Sequence, residues 1–507
     1  MRQTDGQGDR QEFPDKDGNA ITSEVVFTPD SDSGSVDIIF EFDGELIAGD
    51  TLVAFEECKY GEKTVATHND ITDIEQTVDV PDIRTTFFDK DIGEGKGFVR
   101  AGTEEKLVDR VYYTKLIPGL EYTLYSSVFV KETKEALKDE KGNEVVNSVT
   151  FNPESSEGFI DVEFIVNAEL LEGQTLVAFE TLDYNNFSLV IHADIDDVDQ
   201  TVHVPKIKTT AADADNKSHT LTYNERVTIV DKVFYENLIE GRKYIIEGTL
   251  YNAETCGIYK DINGRTYKES VEFTASGSSG FVDVVFKDVL VPFEKTRMVV
   301  FKNIADKETG VRIISHADIT DEEQTVERPT AMTSASVDGI KEIWLASTEA
   351  VNITVTDTIF YSGFEPGNTY MAEANLYKSD GTRLMNGNTP VTGCVMFVPG
   401  ESDDTVDVNI TFSTAGLSEG DRIVVFERIY DVATKMEISE GTQNKDILIA
   451  KHEDINYEGQ TVTVHFSPKT GGITPSYSVA GNVITLVASI AAGAWFVISR
   501  KRRLGGK

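Results

Sequence analysis

Cysteine is scarce in this 507-residue chain: Cys58, Cys256 and Cys394 are the only three, and they fall at unrelated places. An odd number without shared spacing excludes a disulfide framework and a zinc site. Positive charge is also short, with 47 Lys and Arg against 87 Asp and Glu, a net charge of −40. Such a surface repels phosphate backbones, so no nucleic-acid partner is expected. The acids are spread along the chain, which suits a soluble, self-repelling exterior. No phosphate-binding loop, Ser or Cys triad or metal cluster occurs, so no cofactor is expected and a turnover enzyme has the least support. The opening "MRQTDGQGDRQEF" has no apolar stretch of the secretory kind.

A long apolar run occurs near the end. Val479 to Ser499 is 21 residues without a charge, followed by "RKRR" at Arg500 to Arg503. That length spans a bilayer, and the basic cluster marks the cytoplasmic side. Just before it lies "SPKTGG", Ser467 to Gly472. Pro-x-Thr-Gly, an apolar span and a basic tail together resemble the cell-wall sorting signal of Gram-positive surface proteins. The resemblance implies cleavage by a sortase between Thr470 and Gly471 and transfer of the threonine to peptidoglycan. Ser467 stands where that family usually has Leu. Contact with the membrane is expected only through the span, before sorting. A surface protein also needs an export signal, so the expectation is a sequence that begins inside a longer protein.

The dominant feature is repetition. "HNDITDIEQTVDVP" from His68, "HADIDDVDQTVHVP" from His192, "HADITDEEQTVERP" from His316 and "HEDINYEGQTVTV" from His452 are one line written four times. Their glutamines, Gln76, Gln200, Gln324 and Gln460, are spaced by 124, 124 and 136 residues. Each line follows "TLVAFE" (Thr51–Glu56 and Thr175–Glu180), "RMVVFK" (Arg297–Lys302) or "RIVVFE" (Arg422–Glu427). Further upstream come "VDRVYY" from Val108, "VDKVFY" from Val230 and "TDTIFY" from Thr356, and before them "IRTTFF" at Ile83, "IKTTAA" at Ile207 and "AMTSAS" at Ala331. Alternating β-branched and aromatic residues bounded by Ser, Gly and Asn predict short strands. Strands with turns at this spacing suggest one β-sandwich per unit. The fold class expected is all-β: tandem sandwiches in a rod, then a C-terminal transmembrane helix. The divisions are 1–81, 82–205, 206–329, 330–466 and 467–507, with Pro81, Pro205 and Pro329 making short, stiff joints.

In the second unit the recurring reactive residues are Thr85, Asp109, Glu180, His192, Asp197 and Gln200. First and last strands often pair in a sandwich, which would bring Thr85 to Gln200. A hydroxyl needs a base before it attacks, and a carboxamide needs polarisation and a proton on its leaving nitrogen. Histidine and buried acids serve both needs. A calcium loop fits poorly, because the sixth and twelfth positions counted from Asp194 hold Asp199 and Pro205 rather than Gly and Glu.

The "TLVAFE" and H-x-D-x-x-D-x-x-Q lines, with D-x-V-x-Y and T-T upstream, resemble the VaFE-repeat, or Thr–Gln ester-bond, domain of bacterial adhesins. The resemblance covers residues 1 to about 466. It implies an Ig-like fold and an intramolecular ester from a first-strand Thr to a last-strand Gln, with loss of ammonia. Carried over, Thr85 is nucleophile and Gln200 acceptor, His192 and Asp109 handle protons, and Glu180 and Asp197 supply buried carboxyl donors. The third unit has Thr209, Asp231, His316, Asp321 and Gln324, but Lys302 replaces the Glu. That charge works against closure, or Lys302 itself attacks Gln324. The fourth has Thr333, Asp357, Glu427, His452 and Gln460, with Tyr457 for the second Asp. The first has Glu56, His68, Asp73 and Gln76 but no upstream Thr, so Gln76 is expected to be unpaired.

The function expected is a structural stalk carrying an upstream adhesive head. Two alternatives are host-ligand binding by the units themselves, marked by an exposed aromatic patch in one unit only, and a sortase-assembled pilin, for which no pilin-type lysine motif is found.

Overall fold

The computed structural model describes residues 2–4, 10–12, 18–42, 44–102, 104–432 and 447–467. Strands dominate, and their cause is a two-residue burial rhythm. Arg226–Glu236, "RVTIVDKVFYE", alternates buried and open positions along its length. Lys243–Asn252 and Tyr122–Val130 do the same.

The second unit stacks two sheets. The first has Asp82–Asp89 paired to Glu105–Thr114, which pairs to Gly158–Val166. The second is built on Tyr122–Val130 and Thr175–Tyr184, with Phe187–His192 and Thr201–His203 both pairing Thr175–Tyr184. Phe87, Leu107, Val111, Leu124, Val162 and Leu176 fill the space between them. The third unit repeats this plan with Lys206–Asp213, Arg226–Glu236 and Gly280–Leu290 against a sheet centred on Lys243–Asn252 and Thr296–Asp306. The fourth repeats it with Thr330–Ser336, Asn352–Ser362 and Asp404–Ser413 against Tyr370–Lys378 and Arg422–Asp431.

The expected pairing of first and last strands needs correction. The first strand and the last lie in opposite sheets. After the first strand the chain crosses over, and Phe98 then bridges His203 in parallel. The fourth unit makes the same move at greater length, with Glu342–Leu345 parallel to Thr461–Phe466. A sandwich buries both inner faces, so the opening strand can seal one sheet and its continuation the other.

The stretch "LIPGLEY", Leu116–Tyr122, makes a turn between strands. Gly119 takes φ 80°, a conformation that favours glycine. The Ile117 amide donates to the Tyr122 hydroxyl at 3.0 Å, and Ile239 does the same to Tyr244. Neighbouring units interlock. Phe98 of the second unit lies in the core of the third, beneath the Arg242 guanidinium. Asn237 bonds to His203 and to the Val204 carbonyl, and Thr220 meets Tyr370 of the fourth unit.

Among the described residues no helix is long and apolar enough to cross a membrane. The span 479–499, Thr470 and Gly471 lie outside the described residues.

Replacing Tyr122 by Phe leaves the Ile117 amide without its acceptor and should cost about 1 kcal/mol locally. Amide hydrogen exchange checks this: Ile117 should lose protection while the amide of Ile239 keeps it.

Candidate functional site: a buried acid, histidine and amide cluster

The repeated line builds its own turn. In the second unit Asp194 accepts from the Asp196 amide at 2.9 Å, and Asp197 accepts from Asp199 at 2.8 Å. Asp73 and Asp321 cap the short 3-10 turns that end at Gln76 and Gln324. Crowded aspartates thus serve as turn acceptors. The threonine after each glutamine closes the turn, as Thr201 Oγ1 donates to the Asp197 carbonyl and Thr325 Oγ1 to that of Asp321. Each glutamine sits just before the last strand rather than on it.

Register supplies the rest. In the second unit Glu180 pairs with His192 on one side and Ser126 on the other. Across the core, Asp109 is opposite Phe87, two residues along from Thr85, so both side chains share the buried face. Thr85 Oγ1 donates to Asp109 Oδ1, and Ser126 Oγ donates to Oδ2 at 2.6 Å. Gln200 Nε2 donates to Glu180 Oε2 at 2.6 Å and lies 3.3 Å from His192 Nδ1. His192 Nε2 is 3.2 Å from Asp197. Thr85, Asp109, Glu180 and Gln200 are all buried.

Burial pushes the Glu180 carboxyl well above its ordinary range, and the Asp109 charge and hydrogen bond lift it further. Burial also raises Asp109, against hydrogen bonds from Glu180, Ser126 and Thr85 that favour its charge. The pair therefore holds a proton, on the Glu180 side. Oε1 of Gln200 is buried without a hydrogen bond, so the amide carbonyl keeps an unfilled acceptor site in the pocket.

In the fourth unit Glu427 Oε2 accepts from Thr333 Oγ1 at 3.1 Å and from Gln460 Nε2 at 2.5 Å. One carboxylate oxygen therefore touches both the hydroxyl and the amide. Thr333 Oγ1 is also 3.2 Å from His452 Nδ1. Burial lowers His452, which keeps the ring neutral and able to accept a proton, and burial raises Asp357 and Glu427. Tyr457 packs edge-on against the His452 ring, 4.8 Å between centroids, taking the place of an acidic partner.

Four stretches, 7–80, 81–204, 205–328 and 329–464, match one family model, the T-Q ester bond containing domain. The chain belongs to this family. No curated protein matches it. Among solved structures, a Mobiluncus mulieris adhesin described as containing disulfide, isopeptide and ester cross-links shares 13% identity over 52% of this chain and 98% of its own, with a TM-score of 0.23. The C-terminal domain of the Streptococcus pyogenes antigen I/II-family protein AspA shares 9% over 52% and 99%, with a TM-score of 0.25.

The third T-Q domain is arranged differently. Lys302 takes the Glu position opposite His316, and its Nζ reaches Thr209 and, at 2.8 Å, Asp231 Oδ2. Gln324 Nε2 turns to Asp321 Oδ2 at 2.8 Å, where His316 Nε2 also binds at 2.8 Å. In the first T-Q domain Gln76 donates to Glu56 and His68 pairs with Asp73 at 2.9 Å, but this cluster is only half-buried.

One expectation changes. Asp197 is not a buried donor; its carboxyl is part-exposed, capping the turn and holding His192. The buried second acid is Asp109. Ser126 and the threonine after each glutamine were missed. The fourfold "QT" carried a signal for the threonine; Ser126 carried none, since Gly248 and Ala374 occupy its register elsewhere.

With cross-linking blocked by Thr85→Ala, the raised acids favour the fold fully below the ordinary carboxyl range. That contribution is lost as pH rises through the raised values. Adding Glu180→Gln should make the fall in the second domain's melting temperature above about pH 4 shallower. Equal slopes in the two proteins would contradict the shared proton.

Proposed function

We propose that the second and fourth domains close a Thr–Gln ester, and that the chain is a wall-anchored stalk for an adhesive head. The observation that carries the cross-link is Glu427 Oε2, bonded at once to Thr333 Oγ1 and Gln460 Nε2. In the second domain Asp109 takes the Thr85 proton as Oγ1 adds to the Gln200 side-chain carbonyl. Glu180 gives its proton to the departing nitrogen, which leaves as ammonia. The proton gained by Asp109 then passes back across the Asp109–Glu180 hydrogen bond. His192, held by Asp197, orients the amide, and in the fourth domain neutral His452 is placed to receive the Thr333 proton. The reaction occurs once per domain and consumes its own side chains, so the chain is not a turnover enzyme and needs no cofactor.

An ester from Thr85 to Gln200 closes a loop that would stabilise the domain by roughly 5 kcal/mol if it acts on the unfolded chain as a disulfide does. It also ties one sheet to the other, so force applied at the ends bypasses the core. Sortase and peptidoglycan are the partners that the tail implies, and a cell-surface location follows from them. Exposed aromatic pairs, Tyr112–Phe159 and Phe234–Phe281, recur in two domains with Arg110 and Lys232 over them. A recurring pair speaks for a shared surface habit rather than one domain's receptor site.

Intact mass tests the ester. The full chain should be lighter by one ammonia for each closed domain, and hydroxylamine should open the bonds. Thr85→Ala should restore one ammonia. Full mass in the unaltered chain would overturn the proposal. Asp109→Asn should slow closure by about 10²- to 10⁴-fold, read as the mass change with time after refolding.

A further inference from the structure

Lys302 is the only lysine among the described residues that is fully buried. Its strand, Thr296–Asp306, belongs to one sheet; its partner Asp231, also fully buried, belongs to Arg226–Glu236 in the other. In the second domain Ser126 Oγ occupies Oδ2 of the matching aspartate. In the third, Gly248 stands at that register, and a Cβ there would lie 2.9 Å from the Phe286 ring. No side chain at position 248 competes for Asp231. Asp231 Oδ2 faces Lys302 Nζ at 2.8 Å. Thr209 Oγ1 donates to Oδ1 at 2.7 Å, and Gln324 is engaged by Asp321.

We infer that the third domain closes an amide between Lys302 Nζ and Asp231 Cγ in place of the ester. The Lys302 lone pair attacks Cγ of the protonated acid. Charge gathers on Oδ1, where the Thr209 hydroxyl donates. Oδ2, already carrying the acid proton, takes one proton from Nζ and leaves as water, and the amide keeps the other Nζ hydrogen. Both reacting groups must be neutral, and burial drives both that way: it lowers Lys302 and raises Asp231, the latter against the pull of Lys302 itself. No outside reactant is needed. The inference does not depend on ester closure in the other domains.

Peptide mapping of the folded full chain by mass spectrometry separates the outcomes. The expected product joins the Lys302 and Asp231 peptides with loss of one water, and it survives hydroxylamine. Lys302→Arg should abolish it while leaving the ammonia losses of the second and fourth domains in place. Linear peptides for both residues would reduce the contact to an ion pair and overturn the inference. A Lys302–Gln324 product lacking one ammonia, or a hydroxylamine-labile Thr209–Gln324 product, would overturn it too.

Discussion

Two carboxyl groups shut away from water cannot both hold charge, because each loses its hydration and repels the other. The second and fourth domains meet this constraint at one place, where Glu180 faces Asp109 and Glu427 faces Asp357. A shared proton relieves it. That same proton is what a leaving amide nitrogen requires, so packing and chemistry ask for one arrangement. The third domain meets the constraint by replacing one of the two acids with an amine, placing Lys302 against Asp231. A lone buried charge would be far worse than either solution. In the third domain Gly248 stands at the register of Ser126, so no hydroxyl from that strand meets the aspartate's second oxygen.

Precision at the site comes from sheet register. A pleated strand repeats its facing every two residues, so a slip of one would turn Glu180 and Thr85 outward. Long ladders on both sides hold that register: Thr175–Tyr184 runs between Tyr122–Val130 and Phe187–His192. The short turn before the last strand then needs only to deliver one side chain. Its capping aspartate and following threonine do so with local hydrogen bonds.

Much of this was legible in the residues. Period-two runs such as "RVTIVDKVFYE" announce strands, and the fourfold His-to-Gln line marks residues that the fold gathers into one cluster. Sheet membership was less legible, because the crossover after Asp89 depends on which edge each segment seals. The burial of Asp109 rather than Asp197 was also hidden. Both are aspartates beside hydrophobic residues, and only tertiary packing separates a core acid from a turn cap. Ser126 shows the limit most plainly, since its partner lies across the core on a different sheet.

Phe98 belongs by sequence to one domain and by packing to the next. Ile92 and Ala101 lean on that same neighbouring core. A boundary drawn at Pro205 therefore cuts through a shared interior. The third sandwich borrows part of its filling from the chain made before it, so its assembly has a direction: during synthesis the donor segment already exists when its acceptor emerges.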